Sequence, residues 1–112
     1  MPKFVYIYHA PTPPADAAPP DPEQMEEVMR QWIAWSQRVG KGLVDFGTPL
    51  AGGTRVDASG DTQPSTSDVV GYTILEADSR DAAVDLARSH PHLQMSGGCV
   101  IEVHESQPMP GM

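Results

Sequence analysis

Two residues stand where acid–base chemistry could be built. His9 closes an apolar opening run and hands the chain to a proline-rich stretch, and Asp45 sits among Leu43, Val44 and Phe46. A carboxylate in apolar company must pair or bear a desolvation penalty. If Asp45 reaches His9 it would orient and charge the imidazole, the minimal arrangement for proton transfer. His9 and Asp45 are therefore the candidate catalytic residues. The competing expectation is plainer: Asp45 caps a turn beside Gly47, and His9 is a half-exposed strand end.

Three other histidines invite a metal reading. His90 and His92 flank Pro91, which favours an extended geometry able to place two imidazoles on one side, with His104 or a carboxylate as third ligand. No cysteine cluster accompanies them, and His90 falls on the buried face of a helix. The alternative is that a positive His90 offsets the dipole at the helix C-terminus while His92 anchors the following turn. No metal and no cofactor is expected. Tyr8, Trp32 and His92 are the residues expected to bind a substrate. Tyr6, Trp35, Tyr72, Met25 and Met29 share the same choice between lining an apolar pocket and filling a core.

Other chemistries lack their motifs. Gly52-Gly53 and Gly97-Gly98 are doublets without the spacing that aims several backbone amides at a phosphate. No Gly-x-Ser-x-Gly run is present, and Cys99 has no basic neighbour in sequence to lower its pKa. As the single cysteine, it reads as a small buried hydrophobe in an apolar strand.

The elements that must position these groups read clearly. Residues 4–8 alternate with both faces apolar, as a central strand would. Asp21, Pro22 and Gln24 supply an N-cap, a first-turn proline and a capping-box partner, so a helix begins there. Met25, Val28, Met29, Trp32, Ser36 and Val39 recur at helical spacing, with Trp35 off that stripe, and Gly40 stands at the C-cap. Gly42 and Gly47 bracket a short strand. Residues 54–56 suggest one arm of a hairpin whose partner, within residues 62–68, is polar and turn-rich. Residues 69–77 form a strand. Asp78 or Ser79 caps a second helix with Ala83, Leu86, Ala87 and His90 on one face, and Pro91 ends it. Ser96, Gly97 and Gly98 make a turn before a last alternating strand, residues 99–105.

The order β-α-β-β-α-β with right-handed crossovers gives an α+β, ferredoxin-like sandwich, an antiparallel four-stranded sheet with both helices on one face. The bare face must find cover, and a second copy of the sheet is the least demanding candidate, which makes a dimeric α+β barrel. Residues 1–105 are expected to form this single domain, with 106–112 as a flexible tail.

At 112 residues the chain is one domain burying roughly two thirds of its unfolded surface. Its formal charge of −8 opposes phosphate backbones and anionic lipid. Neither nucleic acid nor membrane is expected as a partner. The opening apolar run is too short for a signal segment or a span, so a cytoplasmic location is expected. Twelve prolines and ten glycines cluster in loops and leave the elements intact.

Four segments together carry a family resemblance: Phe4-Val5-Tyr6-Ile7-Tyr8; Gly42-Leu43-Val44-Asp45-Phe46-Gly47-Thr48-Pro49-Leu50; Val70-Gly71-Tyr72-Thr73-Ile74-Leu75-Glu76-Ala77-Asp78-Ser79; and His90-Pro91-His92 leading to Gly97-Gly98-Cys99-Val100-Ile101-Glu102-Val103. In order and spacing the chain resembles the YCII-related domain family. The resemblance implies a homodimer with a cleft between the first helix, the first strand and the strand after the glycine. In some members that cleft holds an acid at the end of the first strand and a histidine on the first helix. Here the strand ends in His9 and the first helix has no histidine, with Arg30, Gln31 and Trp32 near the corresponding place. The Asp-Gly-Pro-Phe run of another branch is replaced by Gln63-Pro64-Ser65-Thr66-Ser67-Asp68.

Three functions fit these residues. The first is a cofactor-free enzyme moving a proton on a small molecule through His9 and Asp45. The second is a non-catalytic binder of a small molecule, lined by Trp32 and the strand aromatics. The third is an accessory dimer whose acidic surface and residues 48–68 meet a partner.

Overall fold

The computed structural model describes residues 1–12, 18, 21–95 and 97–111. Most of the proline-rich stretch before the first helix, and Ser96 of the expected turn, lie outside them. The main sheet is antiparallel in the order β2-β5-β1-β6, formed by β1 (Lys3–His9), β2 (Leu43–Asp45), β5 (Val69–Glu76) and β6 (Val100–Glu105). Between β2 and β5 a separate two-stranded hairpin is made by β3 (Thr54–Val56) and β4 (Thr62–Pro64). The partner strand expected to be irregular is thus regular, pairing Thr54 with Pro64, Arg55 with Gln63 and Val56 with Thr62.

Strand β1 alternates Phe4, Tyr6 and Tyr8, all buried, with Val5, Ile7 and His9, all half-buried. Successive strand side chains point to opposite faces, and only the first set meets the helices. Helix α1 (Pro22–Val39) starts as expected: the Asp21 carboxylate accepts from Gln24 N at 2.8 Å, and the Gln24 side chain accepts from Asp21 N at 3.1 Å. Helix α2 (Arg80–Arg88) is capped by Ser79, whose hydroxyl accepts from Ala82 N.

The core joins Phe4, Tyr6 and Tyr8 of β1, Leu75 of β5, Trp35 of α1, and Ala83 and Ala87 of α2, so both helices share one face of the sheet. This is the ferredoxin-like α+β arrangement. The Tyr6 hydroxyl donates to the Ala83 carbonyl, and Trp35 Nε1 donates to the Leu86 carbonyl at 2.8 Å. Each buried polar tip therefore ties a strand or helix to α2.

Two packing expectations are corrected. Met25 and Met29 do not face the core: they are 52% and 51% exposed, and with Ile33 they form an outer stripe. The inward stripe is Val28, Trp32, Trp35 and Val39, and Trp35 is the fully buried member. Cys99 is half-buried and precedes β6 instead of lying within it. Among the described residues no helix is long and apolar enough to cross a membrane.

Candidate functional site

The candidate residues separate onto the two sides of β1. Tyr8 points to the helices and His9 to the open face of the sheet. At this point β1 and β5 fall out of register: Tyr8 pairs with Gly71 and His9 with Val69, leaving Val70 over as a bulge. Bulges bend a strand and re-aim its side chains.

On the helix side the structure brings Tyr8, Trp32 and His92 together. The Tyr8 ring lies 5.2 Å from Trp32 and 5.1 Å from His92, and Trp32 lies 6.4 Å from His92. His90 completes the group, stacked edge-on against Trp32 at 4.4 Å. A directed hydrogen-bond chain runs through it. His90 Nδ1 accepts from His92 N at 3.0 Å, which assigns the remaining ring proton to Nε2. That nitrogen donates to the Tyr8 hydroxyl at 3.0 Å, Tyr8 donates to Thr73 Oγ1 at 2.7 Å, and Thr73 donates to the Phe46 carbonyl at 2.8 Å. Every hydroxyl in the chain both accepts and donates.

Burial fixes the charge state of this group. His90 is wholly buried, and desolvation, followed by His92 and Arg38 nearby, brings its pKa down to about 3. The positive ring expected to offset the helix dipole is a neutral one here, because the low-dielectric core disfavours its charge. Desolvation likewise pushes the Tyr8 phenol up to about 12. Tyr8 and His92 are closed to solvent at 2% and 3% exposure. His92 Nε2 donates to the His9 carbonyl at 2.9 Å, tying the helix-side group to the backbone of the open-side residue. Trp32 Nε1 is buried with no hydrogen-bond partner among the described residues.

On the open face the carboxylate facing His9 is Asp68, with Nδ1 to Oδ1 at 2.6 Å. The expected contact with Asp45 does not form. In the order β2-β5-β1, Asp45 is two strands away, opposite Ile74, which itself pairs with Val5. It accepts instead from Gly47 N at 2.8 Å and from the Tyr72 hydroxyl at 3.2 Å. Asp68 was reachable by topology: in an antiparallel pair, the residue just before β5 lies beside the end of β1.

Glu102 of β6 is the second acid that local reading overlooked. Its Oε1 lies 3.4 Å from His9 Nε2 as a charge contact, and 3.0 Å from His104 Nε2. His9 Nε2 is buried and has no hydrogen-bond partner among the described residues. The hydrogen bond to Asp68 chiefly raises the His9 pKa above its ordinary value, with desolvation opposing and the charges of Asp68 and Glu102 assisting. The same bond lowers Asp68, and the bond from His104, then the charge of His9, lower Glu102.

His90, His92 and His104 are not brought together, since the first two face the helices and His104 the open side. Among the described residues no group of three or more His, Cys, Asp or Glu is arranged to hold a metal ion. Two small cavities occur away from His9. One of about 190 Å³ lies beside Gln31, Arg38, Ser89 and Gln94, and one of about 90 Å³ lies in the hairpin beside Arg55, Asp57, Asp61 and Gln63.

A protein-family model, the YCII-related domain, matches residues 3–107. That is nearly the whole chain, and the protein belongs to the YCII-related family. No curated protein matches it.

Proposed function

We propose that this YCII-related chain works as a homodimer that receives a small molecule at the end of β1 and moves a proton on it with His9. The observation that carries the reading is the pairing of His9 Nδ1 with Asp68 at 2.6 Å while Nε2 has only the Glu102 charge at 3.4 Å and no hydrogen-bond partner among the described residues. A carboxylate on one ring nitrogen orients the imidazole and makes the other nitrogen the working base. Asp68 takes the orienting role first expected of Asp45. Tyr8 and His92 act as positioning residues, because their polar atoms are committed to Thr73, His90 and the His9 backbone. Trp32, with Nε1 buried on the helix side of β1 and no partner among the described residues, belongs to the second, binding reading. The homodimer is supported by the half-buried row Val5, Ile7, Tyr72 and Ile74 on the open face.

The test is deuterium wash-in from D2O into a panel of small enolisable carbonyl compounds, followed by proton NMR. The expected result is exchange well above an equal concentration of free imidazole, falling by about 100-fold or more in His9→Gln with the fold intact. Equal exchange in His9→Gln removes His9 from any mechanism.

A second reading, non-catalytic binding or an accessory dimer, is supported by Trp32 Nε1, a buried donor without a hydrogen-bond partner among the described residues. The two cavities are smaller than the roughly 300 Å³ of ordinary small-molecule sites, and neither is lined by His9 or Trp32. On that reading Trp32→Ala weakens ligand binding and His9→Gln does not.

A further inference from the structure

The segment between β2 and β5 forms a regular hairpin that nothing among the described residues covers. All of residues 48–68 are exposed, including Val56 at 65% and Leu50 at 43%. The hairpin nevertheless holds regular pairing, and its turn is closed by the Asp57 carboxylate accepting from Ser59 N at 2.9 Å and Asp61 N at 3.1 Å. An isolated two-stranded hairpin is marginal in water and needs a surface to lie on.

Its roots are fixed to the sheet. Pro49 bridges to Gly71, Leu50 N donates to the carbonyl of the bulged Val70 at 2.9 Å, and at the other root Ala10 N donates to the Asp68 carbonyl at 3.0 Å. The arm therefore leaves the molecule at the edge of the open face, beside His9.

The open face offers two copies only a modest surface on which to meet. Its strands have seven, three, eight and six residues, which at ~4.8 Å between strands and ~3.3 Å per residue project roughly 400 Å². A stable interface needs about 800 Å² from each partner. The exposed arm, continuous with that face, is the surface able to supply the difference.

We infer that the β3–β4 arm is a clasp that lies on a second copy of this chain and completes the dimer interface. The inference rests on the homodimer reading above. Because Asp68 forms the arm's root, seating the clasp also holds the carboxylate against His9.

Sedimentation equilibrium of the full chain and of a variant with residues 54–64 replaced by Gly-Ser-Gly tests it. The expected result is a dimer for the full chain and a dissociation constant weakened about 100-fold or more in the shortened one, with the circular dichroism of the main domain retained. An unchanged dissociation constant overturns the clasp and leaves the homodimer standing. A monomeric full chain overturns both. An independent check carries a spin label on Ala58→Cys in a Cys99→Ser background, mixing labelled chains of natural isotope content with unlabelled-thiol 15N chains. Broadening of 15N signals across subunits supports the clasp, and its absence in a mixed dimer refutes it.

Discussion

His9 and Asp68, 59 positions apart in the chain, meet at 2.6 Å because β5 runs antiparallel to β1 and begins where β1 ends. Glu102 stands at 3.4 Å on the other ring nitrogen, so the imidazole lies between two carboxylates. An imidazolium is favoured there, and a neutral ring regains a basic Nε2 only as pH rises through the raised pKa.

Asp68→Asn lowers the His9 pKa measured by NMR titration. The associated pH dependence has a definite sign. His9 is raised, so its contribution to stability is complete below its unfolded value near 6.5 and is lost as pH rises through the folded one. Asp68 is depressed, so its contribution is present above its unfolded value near 3.8 and is lost as pH falls through the folded one. The stability gap between wild type and Asp68→Asn, from urea melts, is therefore greatest between those limits and narrows at both ends. A gap independent of pH contradicts the pairing.

His90→Gln flattens the acid limb of the stability profile. Wild-type His90 stays neutral down to about 3 while the unfolded ring protonates near 6.5, so stability falls as pH drops across that window, by up to roughly 1.4 kcal/mol per pH unit. The variant loses about 1–3 kcal/mol at neutral pH through its broken bonds to Tyr8 and His92 but declines less steeply toward acid. Parallel curves would show that His90 does not control the acid limb.

The three large side chains of α1 separate by burial. Trp35→Ala costs about 3–5 kcal/mol in urea denaturation, since the ring is fully buried and bonded to the Leu86 carbonyl. Trp32→Ala costs less, and Met29→Ala stays within about 0.5 kcal/mol. Equal losses for the two tryptophans would make Trp32 a core residue and withdraw its ligand role.

Gly47→Ala is far more damaging than Gly52→Ala. Both glycines have positive φ, +80° and +64°, but a Cβ at Gly47 would meet the Tyr72 carbonyl oxygen at 1.7 Å, whereas Gly52 faces open space. The second substitution costs on the order of 1 kcal/mol of backbone strain. The first must also displace β5, and thermal melts should show a drop several times larger.

What was readable in the sequence followed the range of the interaction. The start of α1 was legible because Asp21, Pro22 and Gln24 act within one turn, and the four-stranded antiparallel sheet with both helices on one face followed from connection rules. The inward face of α1 was read in part: Val28, Trp32 and Val39 do face inward, but Met25 and Met29 were included and Trp35 set aside, because Met25, Met29 and Ile33 make an outer apolar stripe as regular as the inner one. Periodicity reveals a stripe without saying which of two neighbours is covered. Tyr8, Trp32 and His92 were selected from separate elements, and the fold packs them together. The acid partner of His9 was missed because the choice between Asp45 and Asp68 depends on strand order and on the bulge at Val70, and neither leaves a local signal.

The buried chain from His90 through Tyr8 and Thr73 to Phe46 has a kinetic consequence. Its links join residues separated by 82, 65 and 27 positions, so the full chain cannot close until β1 has docked on β5 and the segment after α2 has docked on β1. Long-range contacts of this kind assemble late. Tyr8→Phe should therefore steepen loss of the native state by raising the unfolding limb of the chevron, with the refolding limb nearly unmoved. The network acts as a latch on the finished molecule, setting how long it stays folded and not how quickly it gets there.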